Sequence, residues 1–202
     1  LDKYYGTPEH FKAFVDSCHG RGIAVIIDIV FNHAFGQSPM LHLYWDGANN
    51  RPAANNPWFN AICPHMPYCW GYDYNHESQA TQNFMDRVNH YWLDEYQVDG
   101  FRFDFTKGFS NNSNNYDNGR IQLLKRMADT IWSVHPNSYI ILEHWADNNE
   151  EKILADYGMM LWGNVTHGYQ ESGMGYISGS NLSFGVYKYR TCLLYTSDAA
   201  DE

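Results

Sequence analysis

Val98-Asp99-Gly100-Phe101-Arg102-Phe103-Asp104-Phe105 is the stretch on which the fold turns. In an extended chain successive side chains point to opposite faces, so Gly100, Arg102 and Asp104 share one face and Phe101, Phe103 and Phe105 the other. The aromatic face suits packing under helices. The polar face must then point inward, where two charges are costly unless they are paired or used. Upstream, Ser78 or Thr81 starts a helix with Phe84, Val88, Tyr91 and Trp92 as its apolar face. Downstream, Asn118 opens a helix carrying Ile121, Leu124, Ala128, Ile131 and Trp132, closed by Pro136. A third strand follows over Tyr139–Trp145, then a short helix capped by Asn148 with Ile153 and Leu154, then a fourth strand over Gly158–Trp162.

Earlier in the chain, Thr7-Pro8-Glu9 is a helix start with Phe11, Phe14, Val15 and Cys18 on its apolar side, stopped by Gly20 and Gly22. Ile23–Val30 is almost wholly apolar, the pattern of a strand buried on both faces of a parallel sheet, interrupted only by Asp28. Residues 34–77 are rich in Asn, Pro, Gly, Trp and Tyr and lack sustained periodicity, far longer than an ordinary strand-to-helix loop. Strict alternation of helix and strand predicts a parallel sheet with crossover helices, either an open doubly wound sheet or a closed barrel.

The 202 residues carry a net charge of -10, which disfavours nucleic acid or an anionic membrane surface as partner. No apolar run is long enough to span a bilayer. Aromatic residues make up 17% of the chain, many outside the periodic segments, which points to a stacking ligand. The sequence begins at Leu1 without an initiator Met and reads as a segment of something longer, so localisation is undetermined. Its last residues, Cys192–Glu202 (CLLYTSDAADE), have neither helical nor strand period. Back-translated, they resemble the transposase end and adapter used in sequencing libraries, and are expected to be non-native. Cys18 falls on a helix face as a small core residue. Cys63 and Cys69 flank Pro64, His65 and Pro67, a spacing open to either a disulfide or two free thiols; a zinc site with His65 lacks a fourth ligand. His42, His65, His76 and His90 read as surface or loop histidines.

Each of the first three strands carries polar residues at its C-terminal end: Asn32-His33, Arg102 with Asp104, and Glu143-His144. Ligand sites of parallel α/β folds lie on that edge. Arg102 and Asp104 can be a structural ion pair. Alternatively Arg102 holds Asp104 ionised as a nucleophile while Glu143, one strand away, donates a proton, which is the carboxylate pair a retaining glycosidase needs. Trp45, Trp58, Trp70, Tyr72 and Tyr74 either present flat faces to sugar rings or fill a small core under the long loop.

Asp28-Ile-Val-Phe-Asn-His33, Gly100-Phe-Arg-Phe-Asp104 and Leu142-Glu143 resemble, in order and spacing, the first three signature regions of the alpha-amylase family, glycoside hydrolase family thirteen. Tyr5-Gly-Thr-Pro-Glu9 is also similar to this family, and the resemblance covers about residues 1–162. It implies an α/β fold, part of a (β/α)8 TIM barrel supplying about strands three to six. Residues 1–33 and 78–191 would be barrel segments, 34–77 a B-domain-like loop, and 192–202 an artefact. It further implies a retaining glycosidase cleaving internal α-1,4 bonds of starch- or glycogen-type glucans, with transglycosylase, α-1,6 debranching and inactive scaffold members as alternatives.

By the same resemblance, Asp104 is the nucleophile, Glu143 the acid and base, and Arg102 the residue orienting Asp104. Asp28 fixes Arg102 and the loop by hydrogen bonding. His33 donates to a hydroxyl of the cleaved sugar, Lys107 contacts sugar on the leaving-group side, and Trp70 and Tyr72 join the substrate-binding set. Calcium is the implied cofactor, with Asn32, Asp73 and the Gly108 carbonyl as ligands. Gly108 stands where many members have His, and Tyr72-Asp73-Tyr74-Asn75 where many have Pro-Asp-Leu. The family's third carboxylate is expected beyond the end of this chain, so the chain alone is expected to be inactive.

Overall fold

Thr7 opens the first helix with a reciprocal cap. Its hydroxyl accepts from the His10 N–H at 3.4 Å and its own N–H donates to His10 Nδ1 at 3.3 Å, while Pro8 fits the first helical turn. The computed structural model describes residues 4–163 and 166–176. Helix α1 (Pro8–His19) buries Val15 and sets Phe11 edge-on against Trp92 and Tyr96. Phe14, placed on the same face by spacing, is instead exposed.

Strand β1 (Ile26–Ile29) follows. The 34–77 stretch has a scaffold of its own: β2 (His33–Ala34), α2 (Pro39–Leu43), β3 (Trp45–Asp46), β4 (Arg51–Pro52) and β5 (Tyr72–Asp73). Strands β2 and β5 pair antiparallel, as do β3 and β4. Cys63 and Cys69 are joined by a disulfide, and Cys18 is free. Trp58 and Tyr72 pack against the core, Trp45 meets Tyr72 edge-on, and Tyr74 stacks on Phe59 at 4.2 Å, so aromatic packing joins this loop-rich region to the core.

Next come α3 (Gln79–Tyr96), β6 (Gly100–Phe103), a 3-10 turn over Thr106–Phe109, α4 (Asn118–Val134), β7 (Tyr139–Leu142), α5 (Asn148–Tyr157), β8 (Met160–Leu161) and α6 (Thr166–Met174). Ser78 caps α3, and Asp117 and Asp147 cap α4 and α5 through side-chain bonds to the second helical N–H. Asn148 is therefore the first residue of α5 and Asp147 its cap. On α3 the buried stripe runs through Thr81, Met85, Asn89, Leu93 and Tyr96. Tyr91, expected inside, is exposed, because the helix turns Met85 and Leu93 to the sheet.

The main sheet is parallel, in the order β1-β6-β7-β8. Phe101, Phe103 and Leu142 are fully buried at its centre under Leu124 and Ile131 of α4 and Leu154 of α5. Strand β1 lies at one edge among the described residues, which leaves Ile23 and Val30 near it exposed rather than buried on both faces. The sheet register sets Asp28 level with Arg102, and Arg102 level with Ile141. No helix among the described residues is long and apolar enough to cross a membrane. The 192–202 stretch, and the part of the expected 78–191 barrel segment after residue 176, lie outside the described residues.

Leu124 bridges α4 and the sheet with no exposure. Leu124→Ala is expected to cost about 2–5 kcal/mol in urea denaturation followed by tryptophan fluorescence, since little can collapse into the space left. A negligible loss would mean that α4 does not seat on the sheet as described.

Candidate active site

Three strand ends bring four charged groups together. Arg102 Nη1 donates to Asp28 Oδ1 at 2.9 Å and to Asp104 Oδ1 at 2.8 Å. Its Nη2 lies 2.8 Å from Glu143 Oε1, close but too poorly aligned for a hydrogen bond, so that contact is one of charge. Asp28 does fix Arg102, as expected. Arg102 is almost buried, and Trp162 covers its flat face with the guanidinium carbon 4.0 Å from a ring centroid. Immediately after Asp104 the chain turns sharply. Phe105 adopts φ 40°, uncommon for a side chain with a Cβ, and this aims its N–H at Glu143 Oε2, 3.0 Å away. Trp145, two residues after Glu143, has φ 50° and is exposed.

Burial pushes the Glu143 carboxyl up to about 7. The Phe105 N–H and the Arg102 charge oppose this, while the charge of Asp104 and a hydrogen bond with it push further in the same direction. A carboxylic acid of that strength beside a second carboxylate can hold a proton near neutral pH and release it. His33 lies at the start of β2, its Nδ1 3.3 Å from Asn32 Nδ2 and its ring flanked by Phe35 and Trp70. Burial lowers its proton affinity although Asp104 pulls the other way, so the imidazole is held toward its neutral form.

Trp70 is exposed and stands edge-on at 5.3 Å to the ring of Phe105, the residue after Asp104. Tyr68, also exposed and inside the loop that the Cys63–Cys69 disulfide closes, meets Trp70 at 5.9 Å and was missed by the sequence reading. Tyr72 does not share that position; it turns to Trp45 and the core. Lys107, on the 3-10 turn, donates to Asn115 Oδ1 at 3.1 Å.

Asn32 and Gly108 are in close contact, and Asp73 on β5 pairs with His33, the residue after Asn32. Asn32 Oδ1 is buried with no hydrogen-bond partner, and a Cβ at Gly108 would lie 1.9 Å from it, so this contact requires glycine. Asp73 is 3% exposed, and burial drives its carboxyl up to about 7 against a 2.7 Å hydrogen bond from Asn60. His65, expected in a surface loop, is buried with its Nε2 3.7 Å from Asp73 Oδ1; His76, likewise expected outside, is buried against Phe109. Among the described residues no group of three or more His, Cys, Asp or Glu is placed to hold a metal ion. A cation here would rest on carboxylate, amide and carbonyl oxygens, a set that suits calcium.

Two more groups make contacts that the sequence does not show. Asn111 ties its loop to the 34–77 region through Asn60, Asn75 and Glu77. Arg120, Glu150 and His144 form a buried cluster behind the site. Asn111 lay in a run with no periodicity, and Arg120 and Glu150 carried only the generic signal of polar residues near helix starts.

Residues 1–75 match the family defined by the alpha-amylase catalytic domain. Over 177 residues, 85% of the chain, the sequence is 29% identical to the 1,4-alpha-glucan branching enzyme GlgB of Bacillus caldolyticus, covering 23% of that protein. It is 27% identical over 162 residues to the cyclomaltodextrinase of Geobacillus thermopakistaniensis, covering 73% of the chain and 25% of the relative. Among solved structures, Eubacterium rectale Amy13B superposes with a TM-score of 0.63 and 25% identity over 81% of this chain and 36% of its own. The chain thus spans about a quarter to a third of the length of these relatives. The superposition gives the four-stranded parallel sheet and its helices the fold of part of a TIM barrel. In its ordered motifs, its fold and these likenesses the chain resembles proteins of the alpha-amylase family, glycoside hydrolase family thirteen, whose catalytic domain its residues 1–75 match.

Proposed function

We propose that Asp104 and Glu143 are the nucleophile and the acid–base of a retaining glycosidase that cleaves internal α-1,4 bonds of starch- or glycogen-type glucans. The observation carrying this reading is a single guanidinium, Arg102, touching Asp28, Asp104 and Glu143 while Glu143 is held near 7. In the first step an Asp104 oxygen bonds the anomeric carbon as the glycosidic bond breaks, and Glu143 gives its proton to the departing oxygen. In the second, Glu143 takes a proton from water as that oxygen bonds the anomeric carbon and the Asp104 ester breaks, which restores both groups and retains the configuration. Arg102 keeps Asp104 aimed, His33 donates to a hydroxyl of the cleaved sugar, and Trp70 offers a stacking face beside it. Lys107 reaches the leaving-group side. Similarity to branching enzymes supports a second outcome at the same site, in which a glucan hydroxyl replaces water and the reaction becomes transfer.

Assays belong on the full-length gene product. Asp104→Asn is expected to cut starch turnover on the order of a thousandfold or more while leaving the thermal melt in place, because the attacking charge is lost. Unchanged turnover would rule out Asp104 as nucleophile. Maltoheptaose products longer than the substrate would mark transfer; shorter products alone would mark hydrolysis.

A second expectation concerns pH. Glu143 must carry a proton for the first step, so kcat/KM on soluble starch falls as pH rises through about 7. A rate that keeps climbing to strongly alkaline pH would assign the acid role elsewhere.

Calcium is the third part of the proposal. Asn32, Asp73 and the Gly108 carbonyl would hold it, and when bound it supplies charge neutralisation for buried Asp73 and a tie between the 34–77 region and the turn after Asp104. Removing the ion with EDTA is expected to lower the melting temperature by several degrees, with recovery on adding calcium chloride. Asn32→Ala should erase that difference; a wild-type melt indifferent to both reagents would remove calcium from the proposal.

A further inference from the structure

Behind the carboxylate pair lies a charged cluster that the proposed chemistry does not use. Arg120 in the first turn of α4, Glu150 in the first turn of α5, and His144 are all fully buried. Arg120 Nε and Nη2 donate to the two Glu150 oxygens at 2.7 and 2.8 Å. The rest of the guanidinium is spent on one stretch of chain. Nη1 donates to the Lys107 and Asn112 carbonyls and to Ser110 Oγ, and Nη2 to the Asn114 and Asn115 carbonyls, all at 3.2 or 3.3 Å. On its other side Glu150 Oε1 lies 2.8 Å from His144 Nε2, and His144 Nδ1 lies 2.8 Å from Thr106 Oγ1. Burial holds His144 toward its neutral form despite Glu150, so Nε2–H donates to Glu150 and Nδ1 accepts the Thr106 hydroxyl.

Stability alone gives little reason for such a cluster, since a buried ion pair exchanged for apolar side chains of similar size is often neutral or favourable. Position is what it supplies. Residues 110–117 have no helix or strand to hold them, and a planar fork with five N–H donors can fix several carbonyls at once. The fixed stretch carries Lys107, whose amine is anchored on Asn115. At the far end of the cluster the Thr106 N–H donates to the Glu143 carbonyl at 2.9 Å, so the same chain of contacts grips the backbone of the acid.

We infer that Arg120, Glu150 and His144 are positioning residues for the leaving-group side of the cleft, holding the 107–115 stretch in one register against Glu143. The inference rests on the glycosidase reading above. Two variants of the full-length gene product test it: Arg120→Met with Glu150→Leu, which removes the charges but keeps the volume, and Glu150→Gln, which keeps the shape should the first fail to fold. Two substrates separate position from general damage, namely maltoheptaose, which reaches past the cleavage point, and a nitrophenyl maltoside, whose small leaving group does not. The expected result is a rise of about tenfold or more in KM for maltoheptaose, with little change for the nitrophenyl substrate and a retained melt. An unchanged KM on both substrates, or equal losses of kcat on both, would overturn the inference. Wild-type protein that turns over neither substrate would instead refute the glycosidase reading itself.

Discussion

The Arg102 guanidinium sets the terms for everything around it. It sits on the central strand β6 and reaches Asp28 on β1, Asp104 beyond its own strand, and Glu143 beyond β7. Those contacts exist only in one register. Side chains alternate along a strand, so slipping β6 by one residue would send Arg102 into the apolar layer of Phe101 and Phe103 and put an aromatic ring among the carboxylates. The ionic cluster and the aromatic core therefore specify the same alignment, each penalising the other's loss.

One positive charge facing three carboxylates leaves an excess of negative charge, and a proton is the natural remedy. Exposure decides where it goes. The side chains of Asp28, Asp104 and Glu143 are 63%, 27% and 7% exposed, so Glu143 has the least water to stabilise its ionised form. Burial thereby holds the Glu143 carboxyl up at about 7, where it can keep a proton near neutral pH.

The second buried arginine works on a different principle. Arg120 faces a single carboxylate and is otherwise surrounded by carbonyl oxygens, so its charge is balanced within the cluster. It orders a stretch of chain that has no regular structure. A comparable economy holds in the 34–77 region, where the Cys63–Cys69 disulfide and the contacts of Asn111 with Asn60 and Asn75 restrain chain that short strands alone would leave loose.

The sequence by itself determined the parallel α/β arrangement, the alternation of the longer helices with the sheet strands, and the placing of Arg102, Asp104 and Glu143 toward the C-terminal ends of their strands. These follow from local rules: the two-residue period of 98–105, the caps at Thr7 and Ser78, and the tendency of polar residues in such sheets to sit at strand C-termini. Tertiary structure decided the rest. Phe14 and Tyr91 have the right spacing for the core yet face water, while His65 and His76 have no apolar spacing at all and are buried. Glu150 is thirty residues from Arg120 in sequence and bonds it directly. Periodicity reports which face a side chain takes along its own element, but not what stands opposite that face; that depends on strand register and loop path, which no local pattern encodes.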